Sequence, residues 1–228
     1  MGFQGFSPRA VVLLAELAEH NDKPWFEAHK AEWEAEIAAP ARTFVEAVGP
    51  GVLEFDPGLR VEAKVGASIF RFHRDVRFSK DKRPYKTELG FRFLPLGEEE
   101  PASGFFMRVR PQGLGLAVGS WGFSPAQLAR YRAAVGAEPT GAPLAAAVAG
   151  LEAAGCQASS ELLKRVPAPW PQDHARGALL RARGLLLGID QPLPPCLGSA
   201  ELAAWCLEGW ARLAPVHHWL RANLGEAG

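Results

Sequence analysis

Residues 104–121 read G-F-F-M-R-V-R-P-Q-G-L-G-L-A-V-G-S-W. Two apolar, β-prone runs, Gly104 to Arg110 and Leu114 to Trp121, flank Pro111-Gln112-Gly113, whose proline and glycine favour a turn. So short a link leaves no room for a helical crossover, and the two runs are expected to pair antiparallel. The same pattern extends upstream through Glu88 to Leu94 and Arg60 to Phe72, with the acidic Gly97-Glu98-Glu99-Glu100-Pro101 as a further hairpin connection. The centre of the chain, about 60–121, therefore reads as a mostly antiparallel sheet.

Helical signals lie on both sides of it. Ser7-Pro8 offers an N-cap and a first-turn proline, and Ala10, Leu13, Leu14, Leu17 and Ala18 follow at helical spacing until Asn21-Asp22. A second helix is expected from Lys23 or Pro24 to about Ile37 and a third from Pro40, with Gly49-Pro50-Gly51 and Asp56-Pro57-Gly58 breaking or turning the chain. Downstream, Ser124-Pro125 opens another helix, Ala142 to Ala154 is alanine-rich and helical, and a short helix near Ala175 to Arg183 precedes a strand at Leu185 to Ile189. A last helix starts at about Ser199. The expectation is one α+β domain over 1–228: N-terminal helices at about 7–56, the sheet at about 60–121, and a mainly helical part at about 124–225, with both helical parts packed on the sheet.

Composition narrows the function classes. The 228 residues carry 25 basic and 25 acidic groups, which argues against a surface coated with cations for sequence-independent nucleic-acid binding. Three cysteines, Cys156, Cys196 and Cys206, are odd in number and lack C-x-x-C spacing, so neither a disulfide framework nor a zinc knuckle is expected. No signal peptide or membrane span is read from the chain, and a cytoplasmic protein is expected.

The charge anomaly is Phe70 to Lys86, F-R-F-H-R-D-V-R-F-S-K-D-K-R-P-Y-K. Arg71, Arg74, Arg77, Lys80, Lys82, Arg83 and Lys86 stand against only Asp75 and Asp81, a local balance of +5 in a neutral chain. Lying between two expected strands, the segment reads as a loop on a rigid scaffold, a usual place for binding residues. Arginine forks suit phosphate or carboxylate, at about 1.5–3 kcal/mol for a hydrogen bond to a charged group. Asp75 and Asp81, among so many cations, are poor bases near neutrality and suit the orientation of those cations instead.

Arg74 to Thr87, R-D-V-R-F-S-K-D-K-R-P-Y-K-T, resembles the signature of domain-of-unknown-function family 2461, a family of conserved hypothetical proteins. Other pieces resemble it in order: F-x-G-F-S at Phe3 to Ser7, N-D-K-P-W-F at Asn21 to Phe26 followed by Lys30, V-G-S-W-G-F-S-P-A-Q-L-A-R-Y-R at Val118 to Arg132, and L-K-R-V-P at Leu163 to Pro167 with Asp173-His174. Val118 and Ser120 depart from the family's more usual double glycine. The resemblance implies a single-domain α+β protein and supplies neither substrate nor catalytic residues.

The expected function is binding of a phosphorylated small molecule or nucleotide by Arg74, Arg77, Lys80, Lys82, Lys86 and Tyr85, supported by Asp75, Asp81 and Lys30. No catalytic residue, metal ligand set or cofactor is read from the sequence. The alternative is a module that uses the same basic and aromatic loop on nucleic acid or an acidic protein, and a purely structural role for the charges is the plainest reading.

Overall fold

The computed structural model describes residues 2–225. Its elements in order are α1 Pro8–Glu19, α2 Lys23–Ala28, α3 Lys30–Trp33, a π-helical turn Glu34–Ala38, α4 Ala39–Phe55, β1 Leu89–Phe93, β2 Gly104–Arg110, β3 Gly113–Ser120, α5 Pro125–Gly136, α6 Glu138–Ala153, β4 Gln157–Ser159, α7 Gly177–Arg181, β5 Leu185–Gln191, a 3-10 turn Pro195–Gly198 and α8 Glu201–Leu224. The fold is α+β, with helices towards both ends of the chain and an antiparallel sheet ordered β1-β2-β3-β5-β4. Strands β4 and β5 pair with Ala158 opposite Leu187.

The expected hairpin of β2 and β3 forms about Pro111 and Gln112. Both Ser-Pro helix starts also form, because each serine satisfies a backbone N–H that has no partner within the helix. The Ser7 hydroxyl accepts from Ala10 N at 3.1 Å, and Ser124 and Gln127 close a reciprocal capping box. Leu13, Leu14 and Leu17 bury the inner face of α1.

Three stretches differ from the sequence expectations. The second helix breaks at His29, where φ −102° and ψ 8° separate α2 from α3. Gly49-Pro50-Gly51 does not interrupt α4, which continues to Phe55. A Cβ on Gly49 would meet Val61 Cγ1 at 2.8 Å and one on Gly51 would meet Leu207 Cδ1 at 2.6 Å, so these glycines admit close neighbours rather than end the helix. Arg60 to Phe72 is no continuous strand. Gly66, at φ +92°, turns the chain in a conformation that glycine adopts without strain, and the buried Ser68 hydroxyl accepts from Glu62 N at 3.0 Å while donating to Arg60 O at 3.2 Å. Only Ser68 to Phe70 runs beside β1, through Phe70 N to Gly90 O and Arg92 N to Ser68 O, both 2.9 Å.

By packing, the described residues divide into two compact units: 2–93, 106–115 and 190–208 form one; 94–105, 116–189 and 209–225 form the other. In the first, Phe3, Phe6, Phe44 and Phe91 make an aromatic core, with Phe44 and Phe91 ring centroids 4.8 Å apart. In the second, Phe105 packs on Trp210 and His217, and Tyr131 on Trp219. Arg176 closes the end of α5 there, donating to Val135 O at 2.7 Å and Gly136 O at 3.0 Å.

Candidate functional site

The basic segment is a loop with a two-rung neck. His73 and Tyr85 form an antiparallel bridge, flanked by Arg74 N to Pro84 O at 2.7 Å and Lys86 N to Phe72 O at 2.8 Å. Residues 75–83 are thereby closed off as a tip. The neck is held from the N-terminal helices. Tyr85 N donates to Asn21 Oδ1 at 2.9 Å, and Asn21 Nδ2 donates back to Tyr85 O at 3.0 Å. The Tyr85 ring stacks on Phe26 with centroids 4.2 Å apart and planes 15° from parallel, while Phe72 meets the edge of Trp33 at 5.2 Å. Burial, then the Glu27 and Asp22 carboxylates, raise the pKa of the Tyr85 phenol. Tyr85 is thus first an anchor.

The tip repeats one motif. Asp75 accepts from Arg77 Nε at 2.9 Å, Arg77 Nη2 at 2.6 Å and Arg77 N at 3.2 Å. Asp81 accepts likewise from Arg83 Nε at 3.1 Å, Nη2 at 2.8 Å and backbone N at 3.1 Å, and also pairs with Arg74 Nη1 at 2.8 Å. In each Asp-x-Arg ring the guanidinium, helped by the backbone N–H, holds the carboxyl well below its ordinary pKa. Both aspartates therefore contact arginines, Asp75 one and Asp81 two. Lys82 instead donates from Nζ to a backbone carbonyl, Val76 O, at 3.0 Å.

A cleft of about 220 Å³ opens beside the neck, lined by Arg74, Asp81, Arg83, Tyr85, Lys86, Thr87 and Glu88. Of the residues expected from sequence, it gathers Arg74, Tyr85, Lys86 and Asp81. Arg77, Lys80, Lys82 and Asp75 stay outside that lining, and Lys30 faces Glu27 at 3.8 Å. Sequence reasoning missed Arg83, Thr87 and Glu88 as lining residues; the second Asp-x-Arg repeat was the signal for Arg83.

Lys86 Nζ lies 4.7 Å from the Phe70 ring centroid and has no ion-pair partner among the described residues. Burial lowers its pKa, which Glu88 partly offsets and Arg92 reinforces. Phe78, at the tip, is 94% exposed, with the Arg77 guanidinium 5.9 Å from its ring centroid. Among the described residues no group of three His, Cys, Asp or Glu is placed to hold a metal ion, and no helix is long and apolar enough to cross a membrane.

The family model of conserved hypothetical proteins (DUF2461) matches residues 9–219. Comparisons with curated proteins and with solved structures each gave no match.

Proposed function

Since the chain belongs to the family of conserved hypothetical proteins (DUF2461), which fixes kinship and not chemistry, we propose from the site alone that it binds a small phosphorylated ligand in the cleft beside Tyr85. The observation that carries this reading is the lining itself: Arg74, Arg83 and Lys86 contribute three cations against Asp81 and Glu88, with the Thr87 hydroxyl as a further donor. Asp81 occupies part of both guanidiniums, but Lys86 remains open to an incoming anion. Ligand pockets for drug-sized molecules run to about 300–1,000 Å³. At about 220 Å³ the cleft suits a phosphoryl group with a short carbon skeleton better than an enclosed nucleotide.

The test is a thermal-shift series with small sugar phosphates and mononucleotides. Sugar phosphates are expected to raise Tm in a saturable way, and Arg74→Ala and Lys86→Met to abolish the shift. Unchanged Tm across the series would refute the reading.

A second reading rests on Phe78, which is fully presented to solvent beside Arg77 and near Lys80 and Lys82 in sequence. An exposed aromatic among cations suits stacking on a nucleic-acid base. Affinity for single strands should then fall with salt, at a log–log slope of about −0.7 per neutralised phosphate, and Phe78→Ala should weaken it. A flat salt response excludes it. The cytoplasm is the proposed location, supported by three free thiols that suit a reducing compartment.

A further inference from the structure

A second group of cations lies on Phe70, mostly outside the loop. The ring rests against β1 at Gly90, where a Cβ would come within 2.6 Å of Phe70 Cδ2. Around that ring stand Lys86, with Nζ 4.7 Å from the centroid, and Arg92, with Cζ 5.2 Å from it. Arg92 is tied down by two carbonyls, donating from Nε to Ala67 O at 3.0 Å and from Nη2 to Gly66 O at 2.9 Å, which leaves Nη1 uncommitted. Arg71 reaches the same turn: its Nε lies 3.4 Å from where a Cβ on Gly66 would stand.

These three cations lack what the arginines of the loop tip have. Arg77 and Arg83 each grip an aspartate, whereas no described carboxylate lies within ion-pair distance of Arg71, Lys86 or Arg92. Nearby Arg60 is held by Glu62 at 3.3 Å, and Glu88 acts on Lys86 only at longer range. Arg92 is half-buried, and burial followed by repulsion from Arg60 and Arg71 lowers its pKa. Like charges brought together without a counter-charge oppose folding, and an anion placed among them removes that opposition.

We propose that Arg71, Lys86 and Arg92, the last two against the Phe70 ring and the first beside Arg92 at the Gly66 turn, form a site for a phosphoryl group. The free Arg92 Nη1, the uncommitted Arg71 fork and the Lys86 ammonium supply donors of two kinds, the planar forks orienting the oxygens and the ammonium acting as a point charge. Phe70 forms the floor, its ring lying against Lys86 and Arg92. The site shares Lys86 with the cleft and rests on the proposed anion binding only through that residue.

The experiment titrates inorganic phosphate into the full chain and reads affinity by calorimetry and stability by Tm. Arg71 is exposed and makes no hydrogen bond among the described residues, so its substitution spares the packing. Arg71→Ala is expected to weaken phosphate binding about tenfold or more, and Arg71→Glu to abolish it while raising Tm in the absence of phosphate, because the new carboxylate replaces the missing counter-charge. A purely structural arginine gives no such opposition of signs. Arg74→Ala separates this site from the cleft. Loss with Arg71→Ala alone supports the Phe70 site and overturns the cleft; loss with Arg74→Ala alone overturns the Phe70 site and keeps the cleft. Loss with both supports both, and loss with neither, or no phosphate binding by the unsubstituted chain, overturns both.

Discussion

Asn21 satisfies both backbone hydrogen-bonding groups of Tyr85, a residue 64 positions further along the chain. A side-chain amide has one acceptor and one donor end, and here it mimics a neighbouring strand for a single residue. This explains why an asparagine stands immediately before the Asp22 cap of α2: it fastens the neck of the basic loop while Asp22 starts the helix, accepting from Trp25 N at 2.8 Å.

Asn21→Ala leaves the part-buried Tyr85 N–H and C=O without partners. Each orphaned group costs about 1–3 kcal/mol, so denaturant unfolding should show a loss of at least about 2 kcal/mol. Asn21→Asp keeps the acceptor, loses the donor and should recover part of that loss.

Gly90→Ala drives a methyl into the Phe70 ring, which stands 2.6 Å from the new Cβ position. Overpacking of this kind costs about 1–3 kcal/mol. The ring is half-exposed and can yield, so Gly90→Ala combined with Phe70→Leu should be less destabilised than the two single changes sum to. Additive losses in a double-mutant cycle would show that the contact is not the cause.

The depressed pKa values of Asp75 and Asp81 set an acid limit for the loop. A carboxyl whose folded pKa lies below its unfolded value, about 3.9, contributes stability above that value and loses it as pH falls through the folded one. Between about pH 5 and pH 2, stability of the unsubstituted chain should fall more steeply than that of the Asp75→Asn, Asp81→Asn double variant, as measured by urea midpoints. Superimposable profiles would contradict the ring pairing.

Lys86 contributes with the opposite meaning. Burial lowers its folded pKa, so the unfolded chain binds more protons in the window between that lowered value and about 10.4. Stability attributable to this residue should therefore rise with pH through the window. Lys86→Met should flatten the rise, and an unaltered profile would place the ammonium in water.

Legibility from sequence followed the range of the forces involved. Ser7-Pro8 and Ser124-Pro125 were readable because a cap, a proline and the apolar spacing act within one or two turns. Gly49-Pro50-Gly51 was misread because the contacts that make glycine suitable, with Val61 and Leu207, belong to the folded chain. The Arg60 to Phe72 strand failed for a similar reason: β-rich composition was present, but the Gly66 turn and the buried Ser68 hydroxyl bent it. Strand β4, three exposed residues long, offered almost no apolar signal. At the site, charge density gave the location. It did not distinguish Arg77, spent on Asp75, from Lys86, which meets an aromatic ring, and it passed over Arg92, whose place depends on Phe70 lying over Gly90.

The two Asp-x-Arg rings close over two residues each, whereas the Asn21 and Phe26 contacts cross most of the N-terminal third of the chain. Shape and address are therefore encoded separately in this loop. Its contour is written inside residues 72–86 and travels with them, while its position is assigned by Asn21, by Phe26 of α2 and by Trp33 of α3. Evolution can vary what the tip presents without moving the neck, and can relocate the neck without redesigning the tip.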